Sequence, residues 1–125
     1  MTRPLDRIRI HELTARTYVG FNDWERTKKQ DVAISLTLYA DLSDACRSDA
    51  VAHTVDYKDI KQRILSAVEA GRFMLIEKMA EDIAHICLEH PKVVRVDVSV
   101  NKLGALRFAK SVSVEITREA ENDRT

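Results

Sequence analysis

The sequence contains few of the residues that build disulfide-stapled or membrane-spanning proteins. Its 125 residues include 2 cysteines, 2 prolines, 3 glycines and 1 tryptophan. Two cysteines are too few for a disulfide framework, and neither belongs to a Cys-x-x-Cys motif. No apolar run approaches the ~18 residues of a membrane span, and the first residues lack the apolar core of a signal peptide. We therefore expect a cytoplasmic protein.

An excess of charge of either sign is also missing. The 20 basic and 20 acidic side chains give a formal net charge of zero. Nucleic-acid-binding proteins commonly carry a basic excess on one face, so we expect neither nucleic acid nor membrane as a partner. The length and the 45% hydrophobic content fit one compact domain. We assign this domain to residues 1–118 and a polar C-terminal tail to residues 119–125.

Hydrophobic residues that alternate with polar ones predict four β-strands. The clearest alternation runs through residues 30–42 and is typical of a half-buried antiparallel strand. Residues 7–17 alternate until the phase shifts at Leu13, which predicts a β-bulge. Two further alternating segments, residues 94–100 and 109–117, predict the third and fourth strands.

Two helices are predicted between the second and third strands. Asp56 is a suitable N-cap for the first helix, and Gly71 ends it. The apolar stripe of this helix consists of Ile60, Ile64 and Val68. The second helix runs from about residue 74 to residue 89 and stops before Pro91. Cys87 falls on its apolar arc and is expected to be a buried thiol.

The order of these elements, ββααββ, predicts an α+β fold. Two helices would cover one face of a four-stranded antiparallel sheet, with residues 44–53 as a connecting loop. The sheet would have two open edges, and its second and fourth strands carry few bulky hydrophobes on the other face. Open edges favour pairing with a neighbouring subunit, so we expect a homo-oligomer.

Common catalytic and metal-binding motifs are absent. The sequence has no Gly-rich phosphate loop, no His-Glu-x-x-His and no Gly-x-Ser-x-Gly. His85 and His90 lie five residues apart on a predicted helix and point in different directions, so we expect no metal site. The remaining candidates are single polar residues at the ends of strands and helices.

Four such residues each allow a functional and a structural interpretation. Glu77 lies at the edge of an apolar arc, where a carboxylate stays partly dry yet reaches a cleft; alternatively, it only complements the helix dipole. Lys102 ends the third strand on the core side and either extends to solvent or is desolvated for proton transfer. Tyr57 is a structural aromatic or a stacking and proton-relay group. Glu25 is by default a solvated loop charge.

Four segments together resemble the dihydroneopterin aldolase family. They are GFNDWERTKKQ (residues 20–30), SDAVAHTVDY (48–57), RFMLIEKMA (72–80) and NKLGALRFA (101–109). They keep the order and spacing of the family, and the resemblance extends over residues 8–118.

The resemblance implies a role for each candidate residue. Glu77 would bind the 2-amino and N3 edge of a pterin, since a planar pair of donors suits a bidentate carboxylate. Lys102 would be the general acid/base, Tyr57 a proton donor and stacking partner, and Glu25 the group that orients Lys102 or the substrate hydroxyls. The other implied substrate-binding residues are Ile76, Val55 and Asp56.

The resemblance also implies an assembly and a reaction. Subunits of the tunnelling fold join their sheets into a ring, here a tetramer or octamer, and the tyrosine segment enters the neighbouring subunit's site. The reaction is the retro-aldol cleavage of 7,8-dihydroneopterin in folate biosynthesis, which yields 6-hydroxymethyl-7,8-dihydropterin and glycolaldehyde. The N5=C6 imine of the pterin takes up the electrons, so we expect no metal or other cofactor.

One position departs from the aldolase pattern. Leu103 follows the lysine where the aldolase turn has proline, and this feature and residues 16–20 resemble dihydroneopterin triphosphate epimerase. Residues 23–25 and 48–49 look more like the aldolase. The sequence predicts an aldolase, with the 2′-epimerase of the tetrahydromonapterin pathway as the alternative. A non-catalytic pterin- or purine-binding module is a further alternative.

Overall fold

The computed structural model describes residues 4–103 and 109–121. Five strands form one sheet: β1 (Asp6–Val19), β2 (Gln30–Ala40), β3 (Arg72–Phe73), β4 (Arg95–Leu103) and β5 (Ser111–Glu119). Three α-helices accompany them: α1 (Ser43–Ser48), α2 (Tyr57–Ala70) and α3 (Ile76–Leu88). Two short 3₁₀ helices span Asp23–Arg26 and Val51–His53.

The strands lie in the order β3-β1-β2-β4-β5. β1, β2, β4 and β5 each pair antiparallel with their neighbours, and β3 pairs in parallel with the end of β1. Helix α2 packs on β1, and α3 packs on β4 and β5. The α+β architecture is therefore confirmed, with the two long helices against the sheet.

The core lies between this sheet face and the two helices. The alternation of β2 buries one face of the strand completely or nearly so: Val32, Ile34, Leu36 and Leu38. The predicted stripe of α2 is buried as well, and α3 contributes Met79, Ala80, Ile83 and Cys87. Burying one such aliphatic side chain contributes about 1.5–3 kcal/mol, so this layer holds the helices in place.

The β-bulge predicted near Leu13 is confirmed. Between the pairs Ile10–Leu36 and Leu13–Ile34, β1 advances three residues while β2 advances two. Glu12 takes a positive φ of 49°, and its backbone N–H donates to Ser35 Oγ at 3.0 Å. The extra residue changes which side chains of β1 face the core. Even-numbered residues face inwards before the bulge, and odd-numbered ones after it.

The predicted ends of α2 are confirmed. The carboxylate of Asp56 accepts from the backbone N–H groups of Lys58 and Asp59 at 3.1 and 3.3 Å, which satisfies two donors of the first turn. At the other end, the buried hydroxyl of Thr17 donates to the Val68 carbonyl at 2.6 Å. This contact ties the end of α2 to β1, and Gly71 follows as the C-cap.

The prediction of a four-stranded sheet and two helices was incomplete. The fifth strand, β3, has only two residues, too few to show any hydrophobic period. It forms because the chain leaves α2 extended alongside β1, where the N–H of Gly20 donates to the Phe73 carbonyl at 2.9 Å. Helix α3 begins at Ile76 and ends at Leu88, slightly inside the predicted limits.

The segment predicted as a loop, residues 44–53, contains part of α1 and a 3₁₀ turn. The Asp41 carboxylate accepts from the Ser43 N–H at 3.0 Å as α1 begins. Asp49 ends the helix in the left-handed conformation, with φ of 55°, and donates to the Ala45 carbonyl. A six-residue helix without buried residues has no apolar stripe, so periodicity does not reveal it.

The last strand extends to the first residue of the predicted polar tail. Strand β5 continues to Glu119, and the N–H of Ala120 donates to the Val94 carbonyl at 2.9 Å. In the described part of the chain, no helix is long and apolar enough to cross a membrane. Cys87 is buried as predicted, and burial raises the pKa of its thiol to about 12. Cys46 is exposed.

Candidate active site

An open cleft of about 340 Å³ lies where the end of β1 approaches the start of α3 and the strands β4 and β5. Its apolar lining consists of Val19, Phe21, Met74, Leu75, Ile76, Val112 and Val114. Glu77 and Lys102 supply the charged groups of the lining. A concave, mostly apolar space with a few polar groups is the usual form of a small-molecule site.

A larger hollow of about 520 Å³ covers the opposite face of the sheet. Short polar side chains line much of it, including Ser35, Thr37 and Ser99. Asp97 in this hollow accepts hydrogen bonds from Tyr39 and Thr117, both at 2.7 Å. Because the Asp97 carboxylate already has these partners and the smaller cleft has the mostly apolar lining of a small-molecule site, we place the candidate active site in the smaller cleft.

Glu25 is buried and contacts Lys102, the residue that the family resemblance implied as one of its two possible partners, whereas its local sequence alone indicated a solvated loop charge. The Lys102 ammonium donates to its Oε2 and forms an ion pair with it. The backbone N–H of Asn22 donates to Oε1 at 3.3 Å, and the Gln30 amide donates to Oε2 at 3.4 Å. The local sequence alone indicates a solvated charge because the neighbours of Glu25 are polar, while its main partner lies 77 residues away.

Lys102 lies on the core side of β4, as predicted. It pairs with Val32 on one side and with Val112 on the other, which places it in the buried row of the sheet. Its side chain is only 13% exposed and is turned towards Glu25 instead of open water. The sequence allowed a lysine that extends to solvent or one that is desolvated. In this conformation Lys102 is largely desolvated.

The surroundings of Glu25 favour its ionised form. Burial alone would raise the pKa of the carboxyl group, but the hydrogen bond from Lys102 and that from the Asn22 N–H lower it. The positive charge of Lys102 and the Gln30 amide lower it further, so the pKa lies below its ordinary value. The Lys102–Glu25 contact is thus a buried, hydrogen-bonded ion pair at the edge of the cleft.

Gly20 makes room for this ion pair. Its φ is 125°, a conformation that side chains disfavour, and a Cβ atom at this position would overlap the Glu25 carboxylate. Any other residue at position 20 would therefore push Glu25 out of its pocket. The glycine at the start of residues 20–30 is therefore needed for the position of Glu25.

Glu77 lies at the other side of the cleft, in the first turn of α3. In the single chain it is exposed, so the expectation of a partly dry carboxylate is not met there. Beside it, Ile76 is buried, whereas Met74 is 57% exposed and Phe21 65% exposed. Apolar side chains around a cleft that remain this exposed indicate a surface that a further group covers.

The three residues of the tyrosine segment do not reach this cleft within one chain. Tyr57 opens α2 with a 51% exposed side chain, Val55 is completely buried, and Asp56 caps the helix. None of them lines the cleft among the described residues. The preceding loop is held by a 2.6 Å contact between Ser48 Oγ and His53 Nδ1.

The structure adds Gln30 to the candidate residues, which sequence reasoning missed. Its place at the end of the family-like segment was a signal, but no sequence period predicts a contact with Glu25. The turn after Lys102 was also part of the resemblance, and its residues 104–108 lie outside the described residues. Within those residues, no three His, Cys, Asp or Glu side chains are grouped so as to hold a metal ion.

Comparison with known proteins gives one consistent result. The model of the dihydroneopterin aldolase family matches residues 8–117. A dihydroneopterin triphosphate 2′-epimerase of Pseudomonas aeruginosa is 39% identical over 110 residues, which are 88% of this chain and 89% of that protein. A dihydroneopterin aldolase of Escherichia coli is 34% identical over 114 residues, 91% of this chain and 93% of that one.

The structural comparison agrees with these matches. A crystal structure of E. coli dihydroneopterin aldolase in complex with neopterin superposes with a TM-score of 0.87 at 34% identity. The superposition covers 90% of this chain and 98% of that chain. The chain belongs to the dihydroneopterin aldolase family, whose relatives found here carry the names of both the aldolase and the triphosphate epimerase.

Proposed function

We propose that this chain is a cytoplasmic pterin-processing enzyme that breaks the C1′–C2′ bond in the side chain of a 7,8-dihydroneopterin. The observation that carries the proposal is the buried Lys102–Glu25 ion pair at an apolar cleft that also contains Glu77. The cleavage reaction is the aldolase reaction. It yields 6-hydroxymethyl-7,8-dihydropterin and glycolaldehyde.

The proposed chemistry needs one group that takes and returns a proton. Lys102 first gives a proton to water, and its neutral amine then accepts the proton of the 2′-hydroxyl as the C1′–C2′ bond breaks, so that C2′ leaves as the aldehyde carbon of glycolaldehyde. The electron pair of the broken bond forms a C1′=C6 double bond, and N5 takes up a proton from water. The resulting enamine is protonated at C1′ by the Lys102 ammonium through a relay that includes Tyr57, and N5 returns its proton to water, which restores the imine. Glu25 stabilises the ammonium form of Lys102 during the proton transfer.

Glu77 is proposed to hold the pterin ring. The 2-amino group and N3–H of a pterin form two parallel donors that match a carboxylate, and such charge-assisted pairs are stronger than neutral hydrogen bonds. The apolar lining, including Met74 and Leu75, would contact the faces of the ring. The contact becomes strong only where water is excluded from Glu77, which requires a cover that the single chain does not supply.

We propose that a second copy of the chain supplies this cover. The exposed apolar residues beside the cleft, the edge strand β5 and the part of β1 that the short strand β3 leaves unpaired support assembly through the sheet, as in a tetrameric or octameric ring. Tyr57, together with Val55 and Asp56, would then serve the neighbouring subunit's site. This explains why an exposed aromatic opens α2 away from its own cleft.

Mixed oligomers test this arrangement. Lys102→Met and Tyr57→Phe subunits, each inactive alone, are co-expressed with different affinity tags and purified as hybrids. If Tyr57 acts across the interface, hybrids recover about a quarter of wild-type activity, because half of the subunits carry each intact residue. If hybrids stay inactive, or if light scattering finds an active monomer at micromolar concentration, the shared site is refuted.

Epimerisation at C2′ is a second candidate function, and the residue after Lys102 favours it. Sequence identity does not choose between the two, since the P. aeruginosa epimerase is 39% identical to this chain, but the E. coli epimerase and the E. coli aldolase are both 34% identical. Leu103 stands where the aldolase turn has proline. Epimerisation uses the same bond cleavage, after which glycolaldehyde presents its other face and C1′ adds again. We propose that both products arise at one site.

Incubation of the purified protein with dihydroneopterin, and separately with its triphosphate, tests these functions. Chromatography would separate the cleavage product from the 2′-epimer, and a parallel fluorescence titration would measure binding. We expect both products from the preferred substrate. Tight binding of either pterin without turnover would instead support the non-catalytic pterin- or purine-binding module. If the protein neither binds nor converts either pterin, the proposal is refuted.

A further inference from the structure

Gln30 occupies a specific place beside the ion pair. It is the first residue of β2 and lies opposite Thr17, at the last pair of the β1–β2 ladder. Its side-chain amide donates to the Val19 carbonyl at 2.6 Å and to Glu25 Oε2 at 3.4 Å. The side chain thus continues the ladder beyond its last backbone pair and ends at the oxygen that Lys102 also contacts.

The chemistry of these contacts fixes the orientation of the amide. Both partners of the Gln30 Nε2 atom, a peptide carbonyl and a carboxylate, are acceptors only. An amide turned over would aim its oxygen at two acceptors, so the NH₂ group must point towards them. Its two hydrogens then serve the two contacts, one each.

We infer that Gln30 is a positioning residue that holds the Glu25 carboxylate against Lys102 and thereby aims the lysine into the cleft. The inference rests on the proposed function only in so far as turnover is one of its readouts. Gln30 connects the ion pair to the backbone of β1, and β1 is itself paired to β2 along its length. The donor is neutral, so it orients the carboxylate without competing with the charge of Lys102.

The two contacts of Gln30 have different consequences. The bond to the Val19 carbonyl stabilises the fold, and its loss leaves an acceptor without this partner. The bond to Glu25 holds the carboxylate that faces Lys102. The same bond helps to lower the pKa of Glu25 and so favours its ionised form. An experiment must therefore separate a loss of stability from a loss of positioning.

The first test replaces Gln30 by Met, which has a similar length but no donor. We expect kcat to fall about 3- to 10-fold, the value of one lost hydrogen bond, while the KM for the pterin changes little. Gln62→Met is the matched control, since Gln62 is exposed on α2, the chain's other glutamine, and should keep normal turnover. Normal kcat in Gln30→Met would overturn the inference.

A double-mutant cycle with Glu25→Gln identifies the route of the effect. If Gln30 acts through Glu25, adding Gln30→Met to Glu25→Gln lowers the melting temperature further but leaves kcat unchanged. If the kcat losses instead multiply, Gln30 acts independently of Glu25, and the inference is wrong. Fully inactive wild-type protein would refute the proposed function, whereas the next measurement would still decide the inference.

A spectroscopic readout needs neither turnover nor a Gln30 variant. The side-chain NH₂ group of ¹⁵N-labelled Gln30 gives its own pair of signals, assigned in the wild-type protein. We expect these signals to shift in Glu25→Gln and to stay in place in Glu77→Gln, which changes the other side of the cleft. Unchanged Gln30 signals in Glu25→Gln would show that the contact is absent in solution.

Discussion

The two sides of the cleft differ in how complete they are within one chain. The lysine side, formed by Glu25, Gln30 and Lys102, is largely enclosed, and the Glu25 carboxylate accepts hydrogen bonds from both of the other side chains. The anchor side, formed by residues 74–77, exposes Met74, Leu75 and the carboxylate of Glu77. One side of the cleft thus has its charged groups paired within the chain, whereas the other side leaves apolar residues and a carboxylate exposed.

This difference separates two requirements of the proposed reaction. Proton transfer requires a fixed donor and acceptor, and the fold of one chain supplies them because β4, β2 and the first 3₁₀ helix converge. In the proposed function, pterin binding requires the exclusion of water around Glu77, and a second subunit is proposed to supply it. Changes on the lysine side should therefore affect turnover, and changes on the anchor side should affect affinity.

The largest effect is expected from Lys102→Met. Methionine keeps much of the apolar stem but removes the transferable proton, so turnover should fall by roughly 10²–10⁴, the weight of one acid/base group. Pterin affinity, measured by fluorescence titration, should change little. Loss of affinity comparable to the loss of turnover would break the division between the two sides. Surviving turnover would transfer the proton-shuttle role to another group, with Tyr57 the first to test.

Glu77→Gln should give the opposite pattern. The amide presents a donor where the pterin edge needs an acceptor, and such a mismatch with a charge-assisted pair costs about 2–4 kcal/mol. This corresponds to a Kd about 30- to 900-fold higher, with the fold and the oligomer intact by light scattering. Near-normal affinity would mean that Glu77 only complements the dipole of α3.

The pH dependence of stability should report the ionisation of Glu25 on the lysine side. Glu25 has a lowered pKa in the folded chain, so its contribution to stability is complete above its ordinary pKa of 4.5 and is lost as the pH falls below it. Urea unfolding at fixed protein concentration should show this loss in the wild type. The loss should shrink in Glu25→Gln and in Lys102→Met, which removes the principal hydrogen bond to Glu25. Equal slopes in all three proteins would contradict the buried ion pair.

The smallest effect concerns the partition between products. Proline fixes φ, so Leu103→Pro should stiffen the residue after Lys102, speed protonation of the enamine and raise the share of cleavage product about 2- to 5-fold. Leu103→Ala is the control, since it shortens the side chain without fixing φ. If the wild type yields cleavage product with no detectable epimer, Leu103 is neutral and the epimerase alternative should be dropped.

The sequence revealed those parts of the molecule that repeat or that have local partners. Alternation located β2 and β4, and the stripe of Ile60, Ile64 and Val68 located α2. Asp56 revealed the cap because its partners, Lys58 and Asp59, follow within three residues. The two-residue strand β3 and the polar helix α1 carry no period, so only tertiary packing defines them.

The same distinction applies to the candidate site. Lys102 was placed on the core side because its strand alternates, and this placement is confirmed. The local sequence of Glu25 did not predict its burial, because that burial depends on Lys102, a partner distant in sequence. Gln30 was missed although its partners Glu25 and Val19 are near in sequence, because their contacts form across a turn that no periodic pattern describes. Glu77 is exposed in the single chain. A hydrophobic pattern indicates that a residue lies at the edge of an apolar arc, but it does not show whether another group covers that edge.

The bulge at Glu12 makes the site sensitive to the length of β1. Without the extra residue, the ladder would run out of phase, and Thr17 and Val19 would turn from the core towards the opposite face. The carbonyl that Gln30 contacts and the glycine that makes room for Glu25 would move with them. A one-residue deletion far from the cleft would thus disable it, while many substitutions at Glu12 would not. In this strand the number of residues matters more than their identity.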